Sequence, residues 1–203
     1  MKRIFLPVIA MLILFSCNND KSGNSSKTTD TATTINTNGN GSANMNDTGN
    51  AGNNGATNTI NDADREFVMK ASIGNRAEVD AGKLAQQKGK SADVREFGAM
   101  MNKDHSDAQA RLATIVSTLG MPMADSIDAS HKDMKKKLSS LKGDNFDKEY
   151  IKAQLADHRD AIALFERQAN AGNNTQLRDF ASTTLPHLRM HLEKAESIAG
   201  KMQ

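Results

Sequence analysis

Tryptophan is missing from this chain, tyrosine and cysteine occur once each, and proline three times in 203 residues. With aromatics at 4%, a β-sandwich or barrel, which leans on aromatic and β-branched side chains, is a poor fit. A single cysteine excludes an intramolecular disulfide and any Cys-rich metal cluster. A formal net charge of +2 supplies no basic patch, which argues against nucleic acid as a partner. No glycine-rich phosphate loop and no serine elbow or triad pattern is present, so nucleophilic catalysis has no carrier. Apolar residues reach only 37%, too few for one core spread over the whole chain. The composition predicts a modest helical domain with an unfolded segment attached.

The first residues set the compartment. Lys2 and Arg3 precede an apolar run from Ile4 to Phe15, followed by Ser16 and Cys17. A charged start, about a dozen apolar residues and a small residue before the cut make a secretory signal. The run is shorter than the roughly 20 residues of a membrane span. Leu14-Phe15-Ser16-Cys17 resembles the lipobox of bacterial lipoproteins, in which the cysteine is diacylated and becomes the first residue after cleavage; the alternative is a chance cysteine in an ordinary signal peptide. Residues 1–16 are thus expected to be a lipoprotein signal peptide and Cys17 the lipid-bearing residue. The protein would then be attached to the membrane through that lipid. Asn18 and Asn19, with no aspartate directly after the cysteine, favour the outer membrane. Residues 17–60 form the expected tether, rich in Asn, Ser, Thr and Gly. Such a segment cannot bury enough apolar surface to offset the entropy of ordering it.

From Asn61 onward the texture becomes helical. Asn61 or Asp62 can cap a helix with Phe67, Ala71, Gly74, Ala81 and Ala85 on one face. Gly89 ends it, and Ser91 can cap a second helix through Val94, Phe97, Met101, Ala108 and Leu112 to Gly120-Met121-Pro122. A weaker amphipathic stretch carries Ile127, Met134, Leu138 and Leu141. Asp144 or Asn145 opens a third long helix with Ile151, Leu155, Ile162 and Phe165. After Gly172, Asn174 or Thr175 opens a fourth with Leu177, Ala181, Leu188, Ala195 and Ile198. Short links inside each pair predict antiparallel hairpins. About 25 residues between the pairs can travel the length of a bundle. The expected fold is all-α: a ferritin-like four-helix bundle of two antiparallel hairpins, with a long crossover carrying a short helix, over residues 61–203.

Polar residues interrupt these apolar stripes. Glu78, His105, His158 and His191 each fall on the inward face of one long helix, near mid-height. A buried ionisable group needs a partner, water or a metal. His187, four residues before His191, shares its face, and a His-x-x-x-His pair can chelate one ion. These five are the candidate metal ligands. The competing expectation is a buried Glu–His hydrogen-bond network that sets helix register. Asp104 and Asp157 precede two of the histidines and point about 100° away, which suits groups that support ligands rather than bind. Pro186 predicts a local kink beside the histidines. His131, on the apolar side of the crossover, is expected to be structural.

The motifs Asp64-Arg65-Glu66-Phe67, Ala77-Glu78, Met101-Asn102-Lys103-Asp104-His105, Asn145 to Tyr150, Asp157-His158 and Leu185-Pro186-His187-Leu188 with His191 together resemble the bacterial domain of unknown function 4142. The resemblance covers the whole folded part. It implies a ferritin-like helical bundle exported to the cell envelope and supplies no reaction. Carboxylate di-iron proteins place Glu three residues before His. Here Asn102, Leu155, Thr184 and Leu188 stand there, which speaks against a ferritin-type ferroxidase. A histidine-rich set suits iron in a haemerythrin-like centre, zinc or copper. The expected function is a non-enzymatic envelope lipoprotein that binds a metal or a partner. A metal-dependent oxidoreductase or storage protein, and a purely structural envelope module, are the alternatives.

Overall fold

The computed structural model describes residues 59–202, so the expected signal peptide, Cys17 and all but the end of the expected tether lie outside the described residues. The described part is all-helical: α1 (Asp62–Lys88), α2 (Ala92–Thr118), α3 (Ala129–Ser140), α4 (Gly143–Ala171) and α5 (Thr175–Gly200). Local chemistry sets the boundaries. Asn61 caps α1 in a capping box with Asp64, and Ser91, Asp128 and Asn174 each accept a backbone N–H at the start of α2, α3 and α5. Each such cap satisfies one of the donors a helix start leaves unpaired. Gly120, at φ 62, takes the left-handed turn after α2. The fourth start departs from expectation. α4 begins at Gly143, and its cap position, Lys142, makes no side-chain cap bond. α5 runs unbroken through Pro186.

Helices α1 and α2 form one hairpin and α4 and α5 the other, with α1 against α4 and α2 against α5. The start of α1 meets the turn between α4 and α5, and Lys201 after α5 pairs with Asp93 at the start of α2. All four neighbouring pairs are therefore antiparallel. The crossover must return along the bundle, and it does so over α1 and α4. Ser72 of α1 donates to the Ala124 carbonyl, and Lys88 donates to the carbonyls of Leu138 and Ser139.

Two apolar clusters occupy the two halves of the interior. One gathers Phe67, Leu112, Phe165, Leu177 and Phe180; the other Phe97, Phe146, Tyr150, Ile151 and Ile198. The five Phe of the helices and the one Tyr are all buried, so the scarce aromatics are concentrated where burial is worth most, roughly 25 cal/mol per Å² of apolar surface. Where α1 and α2 cross, two glycines let the backbones touch. A Cβ on Gly82 would lie 2.7 Å from the Gly98 carbonyl oxygen, and one on Gly98 would lie 2.6 Å from the Ala85 Cβ.

The hairpins correspond residue by residue at a constant offset of 83 (Asp64 to Asp147, Gly89 to Gly172, Arg95 to Arg178, Phe97 to Phe180). The correspondence is physical. Asp64, fully buried, accepts the backbone N–H groups of Asn173 and Asn174 at 3.1 Å each, in the turn of the other hairpin. Asp147 accepts those of Lys90 and Ser91, at 2.9 and 2.8 Å, in the turn of the first. Arg95 and Arg178 each donate back to the glycine carbonyl of their own turn.

Candidate metal centre

Between the two apolar clusters lies a polar waist: Asn75 and Glu78 on α1, His105 on α2, Gln154 and His158 on α4, and His191 on α5, all buried. The three histidines sit on three different helices. They are exposed by only 5%, 1% and 1%, and their ring centroids lie 5.4–5.6 Å apart.

One nitrogen of each ring is already committed outward. His158 Nδ1 lies 3.0 Å from the Gln154 backbone carbonyl, and His191 Nε2 lies 3.0 Å from Asp104 Oδ2. A carbonyl and a carboxylate only accept, so these two nitrogens carry the protons and the opposite nitrogens carry lone pairs. His105 Nδ1 faces Asn75 Oδ1 at 3.0 Å, and its Nε2 is buried with no hydrogen-bond partner. The uncommitted nitrogens point at one another. His158 Nε2 and His191 Nδ1 are 3.4 Å apart, and one ring nitrogen from each of the three histidines falls within 4.8 Å of the others. Tetrahedral zinc with Zn–N of about 2.0–2.1 Å requires nitrogens about 3.3 Å apart. One pair already meets that spacing, and the third ring closes a gap of at most about 1.5 Å. The donor set is three neutral imidazoles, which suits zinc, copper, nickel or iron rather than magnesium or calcium.

Burial holds the site neutral. It pushes the imidazole of His105 well below its ordinary value, aided by the neighbouring rings of His158 and His191. His158 is lowered to about 4 by burial and by His191. Burial also lowers His191, against the opposing pull of Asp104. Lone pairs therefore stay available at neutral pH.

Of the other residues expected in the site, Glu78 is beside it but outside the triad. Its Oε1 lies 3.8 Å from His158 Nδ1, on the side of the ring away from the nitrogen that faces His191, and its Oε2 accepts from Gln154 Nε2 at 2.6 Å. Burial, reinforced by the Asp157 charge, raises its carboxyl to about 8 despite that hydrogen bond. The contact with His158 is between two neutral groups. His187 is exposed, on the rim of a cavity of about 220 Å³ between α2 and α5. Asp104 accepts from His191 Nε2 through its Oδ2. Asp157 is half-buried on the opposite side, in the wall of a cavity of about 530 Å³ between α1 and α4. His131 lies in the same wall, 2.7 Å from the capping residue Asp128.

The waist residues Asn75 and Gln154 escaped the periodicity argument. Spacing by threes and fours leaves a one-residue ambiguity, and the pattern puts Gly74 and Leu155 inward where the fold buries Asn75 and Gln154. The available signal was polarity. An Asn three before Glu78 and a Gln four before His158 continue the polar face that those residues open.

The Domain of unknown function (DUF4142) model matches residues 49–198, well over half the chain. The chain belongs to that family. No curated protein matches it. Among solved structures, this DUF4142 chain is similar to a DUF305 fragment from Deinococcus radiodurans, with TM-score 0.63 and 13% identity, covering 70% of this chain and 98% of that one. It is also similar to a DUF305 protein from Streptomyces coelicolor described as a candidate secreted protein, with TM-score 0.60 and 11% identity, covering 69% and 93%. At such identity the likeness extends to the helical fold.

Proposed function

We propose that this DUF4142 protein is a lipid-anchored protein of the bacterial envelope whose bundle binds one transition metal ion through His105, His158 and His191. The observation that carries the metal assignment is the orientation of the rings. One nitrogen from each ring converges within 4.8 Å, and His105 Nε2 is buried without a hydrogen-bond partner, while His105 Nδ1, His158 Nδ1 and His191 Nε2 are each held by an acceptor. Three lone pairs brought together out of water repel one another and lack donors, which is costly unless a cation sits among them. Hydrogen bonds from behind are what metal-bound histidines ordinarily make. The absence of a carboxylate from the triad favours a single ion over a carboxylate-bridged pair, and so a binding role over ferritin-type storage.

Export is supported by the apolar run before Cys17 and by the description of the Streptomyces coelicolor neighbour. Among the described residues no helix is long and apolar enough to cross a membrane. The test of the metal assignment is elemental analysis of purified protein after exposure to zinc, copper, iron and cobalt. One equivalent of metal is expected, lost in the double variant His105→Ala/His191→Ala. Protein that stays metal-free while folded would leave the waist a structural hydrogen-bond network.

A further inference from the structure

We propose that a metal held by the histidine triad keeps one coordination position open toward the cavity between α1 and α4, and that this position takes a small monodentate donor entering from solvent. This inference rests on the metal-binding function proposed above and adds what the ion would be available to do. Three protein ligands leave a tetrahedral ion one position short, the arrangement of zinc sites that engage water or substrate. Among the described residues the ligand cluster contains no fourth Cys, Asp or Glu, and Glu78 is turned away behind His158. Completion has to come from outside the side-chain set.

The cavity provides the route. At about 530 Å³ it has the size of a small-molecule site, and His105, His158, Asn75 and Glu78 line it. Its wall includes Gly74, in the middle of α1. A glycine inside a helix costs about 0.8–1.0 kcal/mol relative to alanine, so a position that keeps one generally has a packing reason. Gly82 and Gly98 have theirs in the contact between backbones. Gly74 has none, for a Cβ built there meets nothing within 4 Å. What its lack of a side chain leaves is open space along the wall of the passage to His105 and His158. The opposite cavity, between α2 and α5, is lined by His105 and His191 but is smaller, at about 220 Å³.

The experiment uses cobalt-loaded protein and azide. Cobalt(II) gives a visible spectrum sensitive to coordination number, and azide is small enough for the passage. Saturable changes in the visible bands on azide titration are expected for the unaltered protein, and Gly74→Ala should match it within two-fold. Gly74→Phe should weaken azide binding at least 10-fold while cobalt stoichiometry and helical circular dichroism stay unchanged, with Gly74→Leu as the substitute if the Phe variant does not fold. Cobalt bound without any response to azide overturns the open position. A response in the Phe and Leu variants equal to that of the unaltered protein overturns the route. Folded protein that takes up no cobalt overturns the metal site itself, a result that elemental analysis separates from the other two.

Discussion

A neutral imidazole whose one nitrogen donates to a fixed acceptor has its remaining lone pair aimed by geometry. Asp104 does this for His191 across the gap between α2 and α5, at 3.0 Å. Asp104→Ala should leave the ligands in place yet weaken metal affinity by roughly 10–100-fold, the usual effect of losing such support; a competitive chelator titration measures it. In metal-free protein the same residues dictate a pH profile. Below pH 6.5 the unfolded chain binds protons on three histidines that the folded waist refuses, down to about pH 4 for His158. Their contribution is present above 6.5 and lost as pH falls. Glu78 acts with the opposite sign. With its carboxyl raised from 4.5 to about 8, its contribution is present below 4.5 and lost as pH climbs toward 8. The three histidines outweigh the carboxyls of Glu78 and Asp157, which burial raises together, between 4.5 and 6.5, and above that Glu78 dominates. Stability should therefore peak near pH 6.5, and Glu78→Gln should flatten most of the decline between 6.5 and 8, read from urea midpoints across pH. At this scale the sequence exposed the three buried histidines, because a polar residue on an apolar stripe is conspicuous. It overreached with His187. Four residues advance a helix by 400°, so His187 lies 40° around from His191 and 6 Å along it, enough to place it on the exposed rim.

Helix–helix approach is limited by what stands between the axes. At the α1–α2 crossing that is nothing but Gly82 and Gly98, whose added Cβ atoms would meet backbone or a buried Cβ inside 3 Å. Gly98→Ala improves intrinsic helix propensity and should nevertheless destabilise the protein by about 1–3 kcal/mol through overpacking, seen as a lowered urea midpoint with unchanged slope. The elements themselves were well marked in the sequence. Asn61, Ser91 and Asn174 cap where they were expected to, and the short links specified the hairpins. The start of α4 was not legible to the residue, because Lys142 offers no side-chain acceptor and the chain enters through Gly143 at positive φ. Nor did Asp64 and Asp147 announce themselves. An acidic residue near a helix start reads as a dipole or capping group, and only the packed bundle reveals that the carboxylate reaches the neighbouring hairpin.

At the scale of the whole molecule, the export and lipid anchoring proposed above rest on Cys17 and the apolar run before it. Cys17→Ser should move the protein from the membrane fraction to the soluble fraction on cell fractionation, and unchanged membrane association would refute the lipid anchor. The paired aspartates have a further consequence, for folding. Since Asp64 closes the Asn173–Asn174 turn and Asp147 closes the Lys90–Ser91 turn, neither hairpin possesses all the acceptors its own turn requires. Local opening of one hairpin strips hydrogen bonds from the other, so the two should unfold as one cooperative unit rather than as two foldons. Asp64→Ala, at a cost on the order of 3 kcal/mol for the donors it strands, should raise amide hydrogen exchange throughout both hairpins to a common, lower protection. Each half of the bundle carries the fastening for the other.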